Sequence, residues 1–488
     1  MLLGLAVVVA VAAFQLWISP GNPPGFMRDE AALAYNAYTI GHEGRDEDGA
    51  RFPLYFTSFL DYKSPVFVYA LAGVFRVTGA HREVARGFAA VCVLAAILLL
   101  GWLAYRRTGR ALVGMVIVVL AGCTPWLFEL GRVAFEVSMV PLLMCLVLLG
   151  VERASRFDRW SPVTALPVSA ALGVLTYAYA GGRALAPLLA GALVVILGRR
   201  RWHWVLTAWL GFAVTQIPLL LYLGAHPGAL TRRFDATTFV TDDMTPGEVV
   251  GRGIVNYLQD LQVWHYVTSG DVKPYVHTPG TGALLGASLG LSVAGLVLVL
   301  ARKRSDPFWR FAVVALAVSP IPAALTIDRF HAIRLVSFVV MLVVVAIPAV
   351  AFLIDAAAHA VWARALAAVL AVAGTVQFAL FVDDFTTNGP LRTIPFEAGI
   401  PQVLDRAWAG GGTVYIDYDD RAPQALARWY ALVQGIDRSR VVRLADGGVP
   451  PSGAIAFGRE QECDYICGRF LESGDYWIAR VIGPRPEE

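Results

Sequence analysis

Apolar residues in this chain gather into runs of about 15 to 24, separated by short polar stretches, and each run is near the length a helix needs to cross a hydrocarbon core of roughly 30 Å. The candidate spans lie at about 1–19, 86–105, 110–126, 134–151, 161–179, 184–198, 203–223, 281–301, 309–326, 335–354 and 362–381, about eleven crossings in all. Two short runs, 184–198 and 66–79, also fit interfacial or re-entrant pieces. Basic residues in short loops favour the cytoplasm. Arg106/Arg107/Arg110, Arg153/Arg156/Arg159, Arg199/Arg200/Arg201 and Arg302/Lys303/Arg304 share that side only if 184–198 crosses and 66–79 does not. The N-terminus is then cytoplasmic, and residues 20–85, 127–133, 224–280, 327–334 and 382–488 are external. Arg82 and Arg86 fall on the wrong side, but they close a long loop, where the rule is weak. The first run lacks a basic leading region and a clean cleavage site, so it reads as a span rather than a cleaved signal.

After residue 381 the pattern changes. Strand-like runs (413–418, 441–444, 453–457 and 476–481) surround one amphipathic helical stretch, 422–433. The expected organisation is a polytopic α-helical domain, 1–381, with external loops 20–85 and 224–280, followed by a small extracytoplasmic α/β domain, 382–488. Composition agrees: 57% of the residues are hydrophobic and 16% charged, which excludes an ordinary soluble domain. The net charge of +3 supplies no field suited to nucleic acid. Cys463 and Cys467 lie in the external tail, where an oxidising compartment permits a local disulfide. No internal repeat is visible, which disfavours a transporter built from inverted repeats.

Chemistry belongs in the external segments. Arg28-Asp29-Glu30-Ala31 opens a helical-period stretch about ten residues beyond the first span, with Tyr35 one turn further on. Helix capping accounts for such a carboxylate pair, and so does a catalytic acid group at the lipid interface. Tyr62-Lys63-Ser64-Pro65 precedes an aromatic stretch; its lysine is either a snorkelling boundary residue or a point charge for a phosphate oxygen. Glu129, Arg132 and Glu136 are spaced to share one helical face, either as an internal ion pair or as functional charges at membrane depth. The same choice holds for Arg183, and for His331 and Arg334 in Asp328-Arg329-Phe330-His331-Ala332-Ile333-Arg334. The loop around Asp271 and His277 fits ordinary loop structure or contact with an acceptor better than metal binding. Asp46-Glu47-Asp48 reads as a solvated turn rather than a ligand set.

Taken in order, Asp29-Glu30-Ala31 with Tyr35-Asn36, Lys63-Ser64-Pro65, Arg132 with Glu136, and Gly270-Asp271 with His277 resemble the GT-C superfamily, in its protein O-mannosyltransferase and aminoarabinose-transferase-like branch. The resemblance covers about the first 380 residues and departs from the usual Lys-Pro-Pro at Ser64. It implies a GT-C fold in the cytoplasmic membrane and inverting transfer of a sugar from a polyprenyl-phosphate donor to a cell-envelope acceptor. Asp29 would be the general base, and Glu30 would orient it or the acceptor. Lys63 would hold the donor phosphate, joined by Tyr62, Arg132, Glu136, Arg183, His331 or Arg334, with Tyr35, Asp271 and His277 as secondary candidates. No cofactor is implied with certainty, and a divalent metal stays open. The competing readings are a lipid or solute transporter and a non-catalytic binder of lipid-linked sugar.

Overall fold

The computed structural model of the protein describes residues 2–17, 21–58, 61–156, 161–196, 201–303, 305–409, 412–416, 421–444, 448–459, 465–473 and 476–484. Among them are seven helices long and apolar enough to cross a membrane: Arg82–Thr108, Glu136–Arg156, Trp202–Ala225, Gly286–Lys303, Pro307–Ala324, Val336–His359 and Val361–Leu391. All seven coincide with expected spans. The other four expected spans fall on shorter apolar helices, Gly4–Gln15, Ala111–Gly122, Pro162–Ala178 and Gly182–Ile196. The chain is a polytopic membrane protein.

By contact the chain divides into two compact units, Met1–Trp17 with Gly87–Thr386, and Ile18–Arg86 with Thr387–Glu488. The division does not follow the sequence boundary at 381/382. The stretch Ile18–Arg86 falls in one unit with the tail, because its apolar residues pack on tail residues such as Trp429.

The first unit is the helical bundle. Val336–His359 is its most enclosed span, apolar all round as a central helix must be. It lies against Gly286–Leu298, where the Ser292 hydroxyl donates to Leu342 O at 2.8 Å. A Cβ at Gly295 would stand 1.9 Å from Val345 O, so only glycine permits this backbone approach. In Val361–Leu391 just 6% of the apolar window is buried inside the protein, leaving the rest as a surface for lipid.

In the second unit, Val441–Arg443, Val414–Ile416 and Ile455–Arg459 pair in parallel, and Tyr476–Pro484 and Tyr465–Ser473 continue the sheet antiparallel. Helix Arg421–Val433 presents the buried Leu426 and Trp429. The Trp429 ring lies 4.9 Å from Phe26 and 6.3 Å from Phe75. Helix Pro65–Thr78, the short run assigned as non-crossing, thus buries Phe67, Leu71 and Phe75 within this unit. The Cys463–Cys467 disulfide falls outside the described residues.

Candidate active site

Helix Arg28–Glu43 starts at Met27, the N-cap, and puts Asp29 and Glu30 in its first turn. Negative charge there is favoured by the helix dipole. The local cause of both environments is the register of that turn. Glu30, at the third helical position, reaches back to Met27 N (3.2 Å) and is completely buried. Its two oxygens take a fork from Arg86, at 2.9 and 2.7 Å, and the same guanidinium donates to Pro23 O and Gly25 O. Breaking a buried pair of this kind costs about 3–5 kcal/mol. Glu30 is thus held rigidly beside Asp29 by a buried ion pair. The pair also explains Arg86, which topology alone left on the wrong side: its charge is neutralised inside the loop fold.

Asp29 differs. It is 31% exposed, and its Oδ1 lies 2.6 Å from Lys63 Nζ. The lysine is the buried partner, at 6%. Strand Asp61–Lys63 pairs with Phe56–Ser58, setting Lys63 opposite Phe56 and Tyr62 opposite Thr57. Ser64 then takes an extended backbone and Pro65 starts the next helix at its first turn, where proline's missing N–H costs nothing. The departure at Ser64 therefore leaves the turn intact. A cation desolvated to this degree requires an anion, and Asp29 supplies one that solvent still reaches. Tyr35 is buried beneath the Arg428 guanidinium, 5.9 Å from its ring, and burial raises its phenol's pKa.

A tail residue joins this group. Glu397 accepts from Arg28 N (2.6 Å), pairs with Arg28 Nε (2.9 Å) and accepts the Tyr476 hydroxyl (2.7 Å). Burial holds the Glu397 carboxyl above its ordinary value, although Arg28 and the Tyr476 hydroxyl pull the other way, and the charge of Asp29 adds to the rise. Sequence reasoning missed Glu397, since an isolated glutamate in a connector carries no periodic or motif signal.

The remaining candidates lie in the first unit. Glu129, Arg132 and Glu136 do not share a helical face as expected. Helix Pro125–Leu130 ends at Gly131, and Glu136 opens a separate 3-10 turn, Glu136–Met139. At the break the backbone passes close to Ala90: a Cβ at Gly131 would stand 3.2 Å from Ala90 Cα. Buried Arg132 donates to Trp17 O (2.6 Å), Gln15 O and Phe128 O and stacks over Phe128. Arg132 is thus a clamp on the end of the first helix. Glu129 instead meets His277, Oε2 to Nδ1 at 2.5 Å, and accepts from Thr278 N and Oγ1 at 2.7 and 2.5 Å. Burial opposes a charge on His277, but Glu129 and the carbonyl of Thr281 outweigh it and raise the imidazole above 6.5.

Asp271 accepts from His331 Nδ1 (2.9 Å) and Ala332 N (2.7 Å), so these two candidates come together as a loop clasp. Arg334 pairs with Asp328 at 3.0 Å and donates to Thr326 Oγ1, and Lys273 approaches Asp328 at 3.5 Å. Arg183 donates to Leu230 O. Glu136 is buried. No cluster of three or more His, Cys, Asp or Glu among the described residues is arranged to hold a metal ion. Asp46-Glu47-Asp48 does form a turn, Asp46 accepting from Asp48 N and Ala50 N. It is less solvated than expected, because Arg428 covers Glu47.

The chain aligns with the crystal structure of ArnT from Cupriavidus metallidurans bound to undecaprenyl phosphate, at a TM-score of 0.61 and 14% identity over 99% of each chain. Against the same protein in the apo state the TM-score is 0.58, with 14% identity over 99% of each chain. No family model and no curated protein matches the chain. The fold is that of ArnT, the GT-C fold that the motifs implied.

Proposed function

We propose that this protein is an inverting glycosyltransferase that takes a sugar from a polyprenyl-phosphate carrier at the external face of the membrane. The observation that carries the reading is the contact of buried Lys63 with partly exposed Asp29 at 2.6 Å: a cation fit for a phosphate, held by a carboxylate fit to be a base. The fold it shares with a protein that binds undecaprenyl phosphate supports a carrier of that class.

In the reaction, an acceptor hydroxyl attacks the anomeric carbon from the face opposite the phosphate. The bond from that carbon to the phosphate oxygen breaks, the carrier leaves as polyprenyl phosphate, and the hydroxyl proton passes to Asp29. Lys63 offsets the charge gathering on the leaving phosphate. The two roles are coupled, because an entering phosphate competes with Asp29 for the ammonium. As Lys63 turns to the phosphate, the carboxylate is released to accept a proton. One base then suffices, since a phosphate leaves without the acid that a sugar alcohol requires.

The test is sugar transfer by purified protein in lipid from a panel of labelled polyprenyl-phosphate sugars. Asp29→Asn is expected to lower turnover by about 10²–10⁴-fold while donor binding persists. Lys63→Ala is expected to weaken donor binding by about tenfold or more. A native chain that neither binds nor consumes any donor sinks the reading.

A further inference from the structure

A tail carboxylate, backed by a tail hydroxyl, meets the residue before the base. Glu397 engages both the backbone N–H and the guanidinium of Arg28, and the Tyr476 hydroxyl holds the carboxylate from behind. The backbone at Glu397 is itself unusual, with φ at +53°, a left-handed conformation that non-glycine residues keep only when their surroundings impose it. Those surroundings are tight. At Gly25, two residues before the N-cap and itself at φ +63°, a Cβ would fall 2.2 Å from Phe396 O and 2.6 Å from Ala398 Cα. The Phe396 ring lies under both Arg86 and Arg392, at 5.7 and 5.2 Å, and Arg86 is the residue that forks Glu30.

We propose that Glu397 is a positioning residue for Asp29, which makes the tail part of the reacting apparatus; this rests on reading Asp29 as the base. The mechanism is electrostatic as well as geometric. Arg28 is adjacent to Asp29 in sequence, and with its charge unmatched it would compete with Lys63 for the Asp29 carboxylate. Glu397 occupies Arg28 on the other side and accepts its N–H, fixing the first helical position and with it the second. Asp29 then keeps its contact with Lys63.

The variants are Glu397→Gln, which keeps shape and loses charge, Glu397→Asp, which keeps charge, and Tyr476→Phe, which removes the supporting hydroxyl. Two readouts are taken on full-length protein in lipid, with thermal unfolding confirming the fold. The first needs no donor: the rate of reductive methylation of Lys63, followed by mass spectrometry. In Glu397→Gln it should rise by about threefold or more as Arg28 draws Asp29 away, with Glu397→Asp restoring the slow rate and Tyr476→Phe falling between. The second is transfer. In Glu397→Gln, kcat should fall by about tenfold with the KM for donor within about twofold, and the change should add nothing to the loss already caused by Asp29→Asn. Unchanged Lys63 methylation in a folded Glu397→Gln protein overturns the proposal, as does a loss of kcat that multiplies with that of Asp29→Asn. Altered methylation in a chain that transfers no sugar supports the positioning and removes only the transferase reading.

Discussion

Asp29 and Glu30 are neighbours of the same chemistry, yet a helix turns successive residues by about 100°, and that rotation gives one to solvent and the other to Arg86. A carboxylate bonded on both oxygens by a buried guanidinium is screened from solvent, as the complete burial of Glu30 shows. His277 is likewise buried against a charge of opposite sign, that of Glu129. Its pKa is raised from 6.5, so the native state holds the proton more tightly than the unfolded chain does. The resulting stability is fully present below about pH 6.5 and is lost as pH rises through the folded value. The thermal midpoint of the native protein should therefore fall between about pH 6 and pH 9. His277→Gln should flatten that slope and cost about 3 kcal/mol at the acid end. An identical slope in the variant would show that another group is responsible.

At the scale of the element, Arg132 separates two kinds of use for a buried cation. It closes the carbonyl end of helix Leu2–Gln15, where the last carbonyls of any helix lack partners. Arg132→Gln should lower stability by about 2–3 kcal/mol and leave the KM for donor unchanged. Intact stability with a raised KM would return the residue to the phosphate. Elements of this size explain what could be read in advance. Long apolar runs declared the seven long spans, and strands 441–443, 455–459 and 476–484 kept enough alternation to be found. Strand Tyr465–Ser473 was not expected, because register shifts at Ile466/Cys467 and Arg469/Leu471 break its period of two. Hairpin strands of three residues are too short to show a period at all. Asp29 and Lys63 were legible through motif order. Their pairing was not, since 34 residues separate them, and neither was the break at Gly131, because the 3- and 4-residue spacing of Glu129, Arg132 and Glu136 fits a continuous helix.

On the scale of the whole molecule, the second unit is assembled from two distant stretches of chain, Ile18–Arg86 and Thr387–Glu488. Phe26 and Phe75 have Trp429 as their aromatic neighbour, Glu47 has Arg428, and Arg28 has Glu397. A chain truncated after residue 390 loses all three. Its residues 18–86 should become open to limited proteolysis in lipid, where those of the full chain resist, because burying a large aromatic side chain is worth about 2–3 kcal/mol. A truncated protein whose first loop stays protected would contradict the assignment of one shared core.

That discontinuity also sets an order of events during synthesis. Residues 18–86 leave the ribosome early, yet the groups that complete their packing are among the last to be made. Until residues 387–488 are made, the stretch bearing Asp29 and Lys63 lacks the groups that pack on Phe26, Phe75 and Glu47. A nascent chain that stops short of residue 397 lacks the carboxylate that pairs with Arg28, the neighbour of Asp29.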